Sequence, residues 1–187
     1  MAIAQRISEQ EFQELVFSDP DRTWELWDGV PREKPGMSIW HDGVASYLGA
    51  LLTNQLHRQE YWVNVNGGKT RYTSRNYYVP DVVVIPKRYI DPHKGNIRAF
   101  NAYADPLPLV VEVWSPSTGD YDRETKLEAY RQRGDAEIWL IHPYDRTLTA
   151  WRRQPDGRYQ VTTIQGGIIS VDSLPGVTID LDTLLDW

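Results

Sequence analysis

The 187-residue sequence predicts an α/β fold in which a central mixed β-sheet is flanked by helices. Two segments rich in branched apolar residues, 82–85 and 109–113, have the composition of strands buried inside such a sheet. Segments 41–59 and 120–133 have the apolar spacing or the composition of helices. No repeat, low-complexity tract or linker interrupts the chain, so we expect one domain over residues 1–187.

The first half of the chain carries two clear local signals. Ser8 and Glu11 have the spacing of a capping box, which predicts a helix start, and Asn66-Gly67 predicts a hairpin turn. The predicted elements are, in order, a helix ending near residues 18–21, a strand and turn at 24–30, the longest helix at 41–59, strands at 61–65 and 69–73, and a third strand at 77–85.

The second half of the chain begins with a polar loop and ends with a hairpin. Gly134 has the position of a C-terminal helix cap, and Gln-Pro-Asp-Gly at 154–157 predicts a turn. The predicted elements are a loop at 86–105, a strand from Leu109, a helix at 120–133, a strand at 137–142, and a hairpin of strands 148–151 and 159–164.

The composition excludes several classes of protein. The chain has no cysteine, which rules out disulfides and thiolate zinc sites, and no apolar run approaches the ~18 residues needed to cross a bilayer. The N-terminus lacks an apolar signal region, so we expect a cytoplasmic protein with no membrane partner. A net charge of −6 argues against a protein that coats nucleic acid non-specifically.

Two acidic residues stand where apolar residues are expected. Asp81 precedes the run Val-Val-Val-Ile, and Glu112 lies inside Leu-Val-Val-Glu-Val. Pro80 has no N–H to donate, which places Asp81 at a strand start, edge or bulge, the kind of position that opens onto a cleft. Two buried carboxylates at neighbouring strand ends repel one another unless a divalent cation lies between them. Few hard oxygen ligands suit Mg²⁺ or Mn²⁺, so the two residues predict a site for either ion.

Simpler structural roles remain open for both acids. Asp81 can instead cap a strand or turn by accepting hydrogen bonds from backbone amides. Glu112 can instead form an ion pair with an arginine, of which Arg123 and Arg98 are the candidates.

The sequence resembles the Uma-two family, which is classed with the endonucleases of the PD-(D/E)XK, restriction-endonuclease-like superfamily. The resemblance begins at Trp-Glu-Leu-Trp-Asp-Gly (24–29), includes His41 and Pro80-Asp81, and runs to about Pro143. Its most specific part is Glu-Val-Trp-Ser-Pro-Ser-Thr from Glu112, with the Lys126, Tyr130 and Gly134 that follow. It implies a restriction-endonuclease-like fold.

The sequence departs from the superfamily pattern at one position. That pattern has lysine two residues after the acid, where this chain has Trp114. Lys126, fourteen residues after Glu112 on the next predicted helix, is the natural substitute, and Tyr130 shares its helix face. A helical lysine is otherwise most often solvated.

The resemblance implies metal-assisted hydrolysis of phosphodiester bonds, with DNA the preferred substrate over RNA. Asp81 and Glu112 would hold Mg²⁺ or Mn²⁺, and Lys126 would orient or deprotonate water or neutralise transition-state charge. Glu25 and His41 match further family positions and are candidate supporting metal ligands or bases. Their simpler roles are an ion pair for Glu25 and a helix start for His41.

Two further expectations follow from the resemblance and the composition. Restriction-type nucleases often pair to cut two strands, and the 8 Trp and 11 Tyr could supply an interface, so a homodimer is expected. The alternative function is a catalytically inactive binding or assembly module on the nuclease scaffold, which Trp114 and the acidic net charge favour.

Overall fold

The computed structural model describes residues 5–116 and 119–186, with the backbone alone for residues 119–123. The helices in this part of the chain are α1 (Glu9–Ser18), α2 (Ile39–Gln55), α3 (Lys87–Ile90), α4 (Gly119–Arg133) and α5 (Leu181–Leu184), with a 3₁₀ helix at Asp91–His93. The strands are β1 (Trp24–Trp27), β2 (Val30–Glu33), β3 (Tyr61–Val65), β4 (Lys69–Thr73), β5 (Asn76–Tyr78), β6 (Val82–Pro86), β7 (Ala102–Tyr103), β8 (Leu109–Val113), β9 (Glu137–His142), β10 (Thr147–Arg153), β11 (Tyr159–Ile164), β12 (Ile168–Ser170) and β13 (Thr178–Asp180).

The strands form two mixed sheets and a small antiparallel pair. The six-stranded sheet has the order β11-β10-β9-β8-β6-β3 and the five-stranded sheet the order β2-β1-β5-β4-β7, while β12 pairs with β13. Strand β8 runs parallel to β9, and β4 runs parallel to β7, whereas the other pairs are antiparallel. The predicted α/β class with a mixed sheet flanked by helices is confirmed.

Both faces of the six-stranded sheet are covered near its centre. On one face Val82 and Val111 pack with Leu48 of α2, and on the other Val83 and Val110 pack with residues that include Tyr130 of α4. A strand covered on both sides gains from apolar residues at every position. This explains the continuous apolar runs that the sequence shows in β6 and β8.

The helix ends follow the local signals of the sequence. The Ser8 hydroxyl accepts from the Glu11 amide while the Glu11 carboxylate accepts from the Ser8 amide, which confirms the capping box. Gly134 has φ +81° directly after α4, as its predicted cap role requires. Helix α2 begins earlier than predicted because Ser38 caps it, and it ends earlier because Leu56 is already extended.

Two strand predictions in the first half are wrong. Strands β3 and β4, predicted as one hairpin, lie in different sheets, and the predicted strand 77–85 is divided between β5 and β6 of different sheets. Asn66 has the left-handed backbone expected of a turn, with φ +53°, but its amide donates to the carbonyl of Asp81. The chain therefore turns at Asn66 without returning along β3.

Other segments agree with the sequence in part or in full. The predicted loop at 86–105 contains α3, the 3₁₀ helix and β7, whereas β10 and β11 form the predicted antiparallel hairpin. None of the helices in the described ranges combines the length and the apolar character required to span a bilayer.

Candidate active site

Asp81 lies where the chain passes from the five-stranded sheet to the six-stranded sheet. Its amide donates to the carbonyl of Val111 at 3.0 Å, and its carbonyl accepts from the Asn66 amide at 2.9 Å. Two neighbouring segments of chain thus fix the backbone of Asp81 from opposite sides. The side chain is held at the beginning of β6, directly beside β8.

The Asp81 carboxylate is surrounded by hydrogen-bond donors and positive charge. Oδ1 accepts from Lys34 Nζ at 2.6 Å, and Oδ2 accepts from the Val113 amide at 2.7 Å. Burial alone would raise the pKa of this carboxyl, but the charges of Lys34 and His41 hold the pKa well below its usual range. Asp81 is therefore ionised at neutral pH.

His41 approaches the same carboxylate from α2. Its fully buried ring places Nε2 2.9 Å from Asp81 Oδ2, but the alignment falls short of a hydrogen bond, so Nε2 has no hydrogen-bond partner among the described residues. Nδ1 lies 3.4 Å from Asp42 Oδ1. Burial lowers the pKa of the imidazole, but Asp81 and Asp42 together outweigh burial and leave the pKa raised.

Glu112 extends from β8 toward α4. Its Oε1 accepts from the Tyr130 hydroxyl at 2.6 Å and lies 3.5 Å from Lys126 Nζ. Burial raises the pKa of Glu112 to about 7, the opposing charge of Lys126 limits the rise, and the nearby charge of Asp81 adds to it. The negative charge of Glu112 is therefore less well compensated than that of Asp81.

Lys126 connects Glu112 to a third acid on the five-stranded sheet. Its Nζ lies 2.8 Å from Glu25 Oε1, and its side chain is 8% exposed. Glu25 also accepts from the Val79 amide and from the Trp27 indole N–H, each at 2.8 Å. Burial would lower the pKa of Lys126, but the charges of Glu112 and Glu25 raise it, so Lys126 is a cation.

These groups line one small pocket. Its charged lining is formed by Glu25, Lys34, Asp81, Glu112 and Lys126, and its volume is about 40 Å³. A water molecule needs about 10–15 Å³, so the pocket has room for about three water-sized groups. Trp114, Pro35 and Met37 form part of its apolar wall.

Comparisons with known proteins identify the family. The model of the family "Uma2: Putative restriction endonuclease" matches residues 9–182. The chain belongs to the Uma2 family. No curated protein matches the sequence. Among solved structures, a "putative nuclease belonging to DUF820" from Anabaena variabilis ATCC 29413 is similar, with a TM-score of 0.78 and 17% identity over 97% of this chain and 98% of that chain.

Family membership supports the coarse assignment of this Uma2 chain as a nuclease, and the solved structure shares its fold. The five residues named from the sequence form two contact groups: His41 with Asp81, and Lys126 with Glu112 and Glu25. Within the described residues no group of three or more His, Asp or Glu side chains is arranged to hold a metal ion.

The simpler structural roles of Asp81 and Glu112 are observed in part. Asp81 does accept a backbone amide hydrogen bond, from Val113. Arg98 is exposed, and the described charged partner of Glu112 is Lys126 rather than Arg98. The side chain of Arg123, the other candidate partner, lies outside the described residues.

Sequence reasoning missed Lys34 in this Uma2 chain. Its ammonium group donates to Asp81 Oδ1, to Asn66 Oδ1 at 2.9 Å and to the Val79 carbonyl at 3.0 Å, which uses all three of its N–H groups. Lys34 follows β2 in a segment without periodic pattern, and a single lysine there carries no motif. Its position between Pro31 and Pro35 was the only local signal of a fixed loop.

Proposed function

We propose that this chain is a divalent-metal-dependent endonuclease that hydrolyses phosphodiester bonds of DNA, with Asp81, Glu112 and Lys126 as its catalytic residues. The observation that carries the proposal is the convergence of Asp81 and Glu112, from neighbouring strands, on a pocket that also contains Lys126. Burial of acids and a lysine in one cleft reduces the stability of a fold. Their presence together therefore indicates a role in chemistry.

The residues present fit a cation in two respects. Glu112 is a buried acid whose pKa is raised, so a positive ion beside it would relieve the cost of its charge. The pocket volume of about 40 Å³ suits an ion that keeps some of its water, as Mg²⁺ does. We therefore place Mg²⁺ or Mn²⁺ at Asp81 and Glu112.

His41 and Glu25 remain candidate supporting ligands or bases. In the structure their nearest charged partners are the proposed catalytic residues themselves, Asp81 for His41 and Lys126 for Glu25. They can therefore also serve by orienting those side chains. Metal titration of His41→Gln and Glu25→Gln separates the two roles. Loss of a metal ligand weakens metal binding even when the variant protein is fully folded.

A divalent ion bound at Asp81 and Glu112 would polarise a phosphoryl oxygen and lower the pKa of a bound water. Lys126 stays protonated and lies beside Glu112, where it can neutralise negative charge that develops on the phosphate. Tyr130 fixes Glu112 Oε1 by a hydrogen bond, and Glu25 forms an ion pair with the ammonium of Lys126. Three carboxylates outnumber two lysines in the pocket, so its ionised lining has one excess negative charge. A divalent ion would reverse the sign of this charge, which favours an anionic substrate.

Cleavage of supercoiled plasmid tests the proposal. Asp81→Asn and Glu112→Gln should each abolish nicking in Mg²⁺ or Mn²⁺, and EDTA should abolish nicking by the unchanged protein. Asp156→Asn is the matched control, because Asp156 is an acid in a remote turn that pairs with Arg158. Nicking at the unchanged rate by either pocket variant, with a preserved thermal midpoint, would overturn the assignment.

A second candidate is a catalytically inactive binding or assembly module. The engagement of both Asp81 oxygens by Lys34, His41 and Val113, together with Trp114 at the usual lysine position, favours it. Calorimetric titration with Mn²⁺ separates the two. No heat of binding at millimolar Mn²⁺, with no plasmid nicking, would select the module.

We also propose a single domain that works as a cytoplasmic homodimer. The absence of cysteine suits a reducing compartment. Ile39, Trp40 and Tyr47 of α2 are 79%, 42% and 39% exposed and supply apolar surface for a second copy. Light scattering of the purified protein tests this, and a monomer at micromolar concentration would exclude the dimer.

A further inference from the structure

A second, larger cleft lies beside the edge strand of the six-stranded sheet. It holds about 410 Å³, within the range typical of small-ligand sites. Trp62 and Asn64, which alternate onto one face of β3, form one side, and residues 90–103 form much of the other. Trp62 is 48% exposed although it belongs to a sheet strand. A large aromatic side chain is thus presented to the cleft rather than to the core.

The chemistry of the cleft matches a nucleotide. Lys87 Nζ lies over the Trp62 ring, 4.6 Å from its centre, so the ammonium group is held against one face of the aromatic plane. Asn64 and Asn101 also line the cleft and offer amide donors and acceptors. An aromatic plane that stacks a base, with a nearby cation for phosphate, is the combination used to bind single strands.

The charge of this region is opposite to that of the whole chain. Residues 87–98 contain four lysines and arginines and one acid, whereas the chain as a whole has a net charge of −6. Lys94 is exposed at the cleft, and Arg58 borders an adjoining groove with Trp62 and Lys87. Lys87 and Lys94 line the cleft with one acid, Asp91, so its charged lining has a net positive charge where an anionic strand would lie.

Strand β3 connects the cleft to the acid pocket. Trp62 and Asn64 face the cleft, and Asn66, directly after the strand, accepts a hydrogen bond from Lys34 of the pocket at 2.9 Å. The four-residue step from Trp62 to Asn66 covers about 13 Å of extended chain. This length corresponds to a few nucleotides along one DNA strand.

We propose that the cleft binds an unpaired nucleotide of the DNA strand that is cut, a few nucleotides from the cleaved bond. Its base stacks on Trp62, and its phosphate contacts Lys87. The inference rests on the proposed function and adds a substrate class to it, DNA with a single-stranded segment beside the cleavage site.

Binding without divalent metal tests the cleft independently of cleavage. The affinity of a fluorescein-labelled single-stranded oligonucleotide is measured by anisotropy in EDTA over a series of salt concentrations, and the same sequence is measured as a duplex. The proteins are the unchanged chain, Trp62→Ala, Trp62→Phe, Lys87→Gln and Lys87→Arg. Arg158→Gln is the control, because it removes one exposed positive charge on the remote β10–β11 turn.

The variants of Lys87 and those of Trp62 should differ in how their affinity for the oligonucleotide depends on salt. Lys87→Gln should weaken binding and reduce the slope of log affinity against log salt by about 0.7, because one phosphate contact is lost. Trp62→Ala should weaken binding roughly tenfold at every salt concentration with no change of slope, because stacking releases no counterions. Trp62→Phe, Lys87→Arg and Arg158→Gln should bind nearly as the unchanged protein does, and the duplex should bind more weakly than the single strand.

Equal affinities for the unchanged protein, Trp62→Ala and Lys87→Gln would overturn the inference, as would the absence of single-strand binding. Failure of the proposed function has a different signature. Asp81→Asn should bind the single strand as tightly as the unchanged protein while it fails to nick. If the unchanged protein binds through Trp62 and Lys87 but never cleaves, the cleft stands and the nuclease assignment falls.

Discussion

Lys34 Nζ lies 2.6 Å from Asp81 Oδ1, and the two side chains are 6% and 2% exposed. An internal cation therefore already neutralises the acid on which metal binding is proposed to depend. The Asp81 side chain is fixed in place before any ion arrives, which reduces the reorganisation that binding requires. The same contact opposes a divalent ion, because two positive charges would share one carboxylate.

Lys34→Met should tighten the binding of Mn²⁺ by at least about tenfold, because a unit charge at about 4 Å is worth several kcal/mol near a protein surface. Asp81 keeps its contacts with Val113 and His41 in this variant. Isothermal titration calorimetry measures the affinity, and Lys34→Arg, which retains the charge, is the matched control. Unchanged or weaker Mn²⁺ binding by Lys34→Met would show that Lys34 does not compete with the ion.

Glu112 should make the metal-free protein less stable as pH rises. Its folded pKa of about 7 lies above the ordinary value of 4.5, so the stability that it contributes is full below 4.5 and is lost as pH rises through 7. The shift corresponds to at most about 3 kcal/mol, and we expect about 2 kcal/mol because the side chain is 15% exposed.

Urea unfolding in EDTA at about pH 5 and pH 8 measures this effect. Glu112→Gln, which cannot ionise, should gain about 2 kcal/mol relative to the unchanged protein between the two pH values. Parallel pH dependences for the two proteins would mean that Glu112 ionises without cost in the fold.

Lys126→Met should lose both cleavage and stability, because Glu25 and Glu112 would be left without their shared cation. Removal of one partner from a buried ion pair typically costs about 3–5 kcal/mol. The double variant Glu25→Gln with Lys126→Met should recover much of the thermal midpoint and yet remain inactive in plasmid nicking. Recovered nicking in the double variant would show that Lys126 serves stability alone.

Gly49→Ala should destabilise the protein, although alanine normally favours a helix by up to about 1 kcal/mol over glycine. A Cβ at Gly49 of α2 would clash with Val65 Cγ2 on β3, and overpacking of this kind costs about 1–3 kcal/mol. In a Val65→Ala background the same substitution should instead stabilise. A double-mutant cycle of unfolding free energies checks the reversal, and additive effects would exclude the contact.

The sequence indicates the two acids because each interrupts an apolar run, and an acid in such a place calls for a partner. It also indicates Lys126 through the motif that follows Glu112. It gives no comparable signal for Lys34, since the value of that side chain lies in reaching Asp81 and Asn66 from a distant loop. Long-range contacts of one loop residue leave no periodic trace in the chain.

The strand errors have a related cause. The left-handed conformation of Asn66 agrees with its turn chemistry, but the direction of the following chain is set by pairing of β4 with β5 and β7. In the same way, the apolar character of residues 77–85 is continuous across Pro80. Burial in either sheet requires the same residue types, so composition cannot show where the chain changes sheets.

The peptide between Tyr78 and Val82 ties the two sheets to each other within a few residues. The Val79 amide is held by Glu25 of the five-stranded sheet, and the Asp81 amide by Val111 of the six-stranded sheet. Neither sheet can assemble the acid cluster by itself. A truncated protein that kept only the larger sheet would retain both proposed ion ligands but would lose Glu25, which anchors Lys126. Such a fragment would be inactive although its ion ligands are intact.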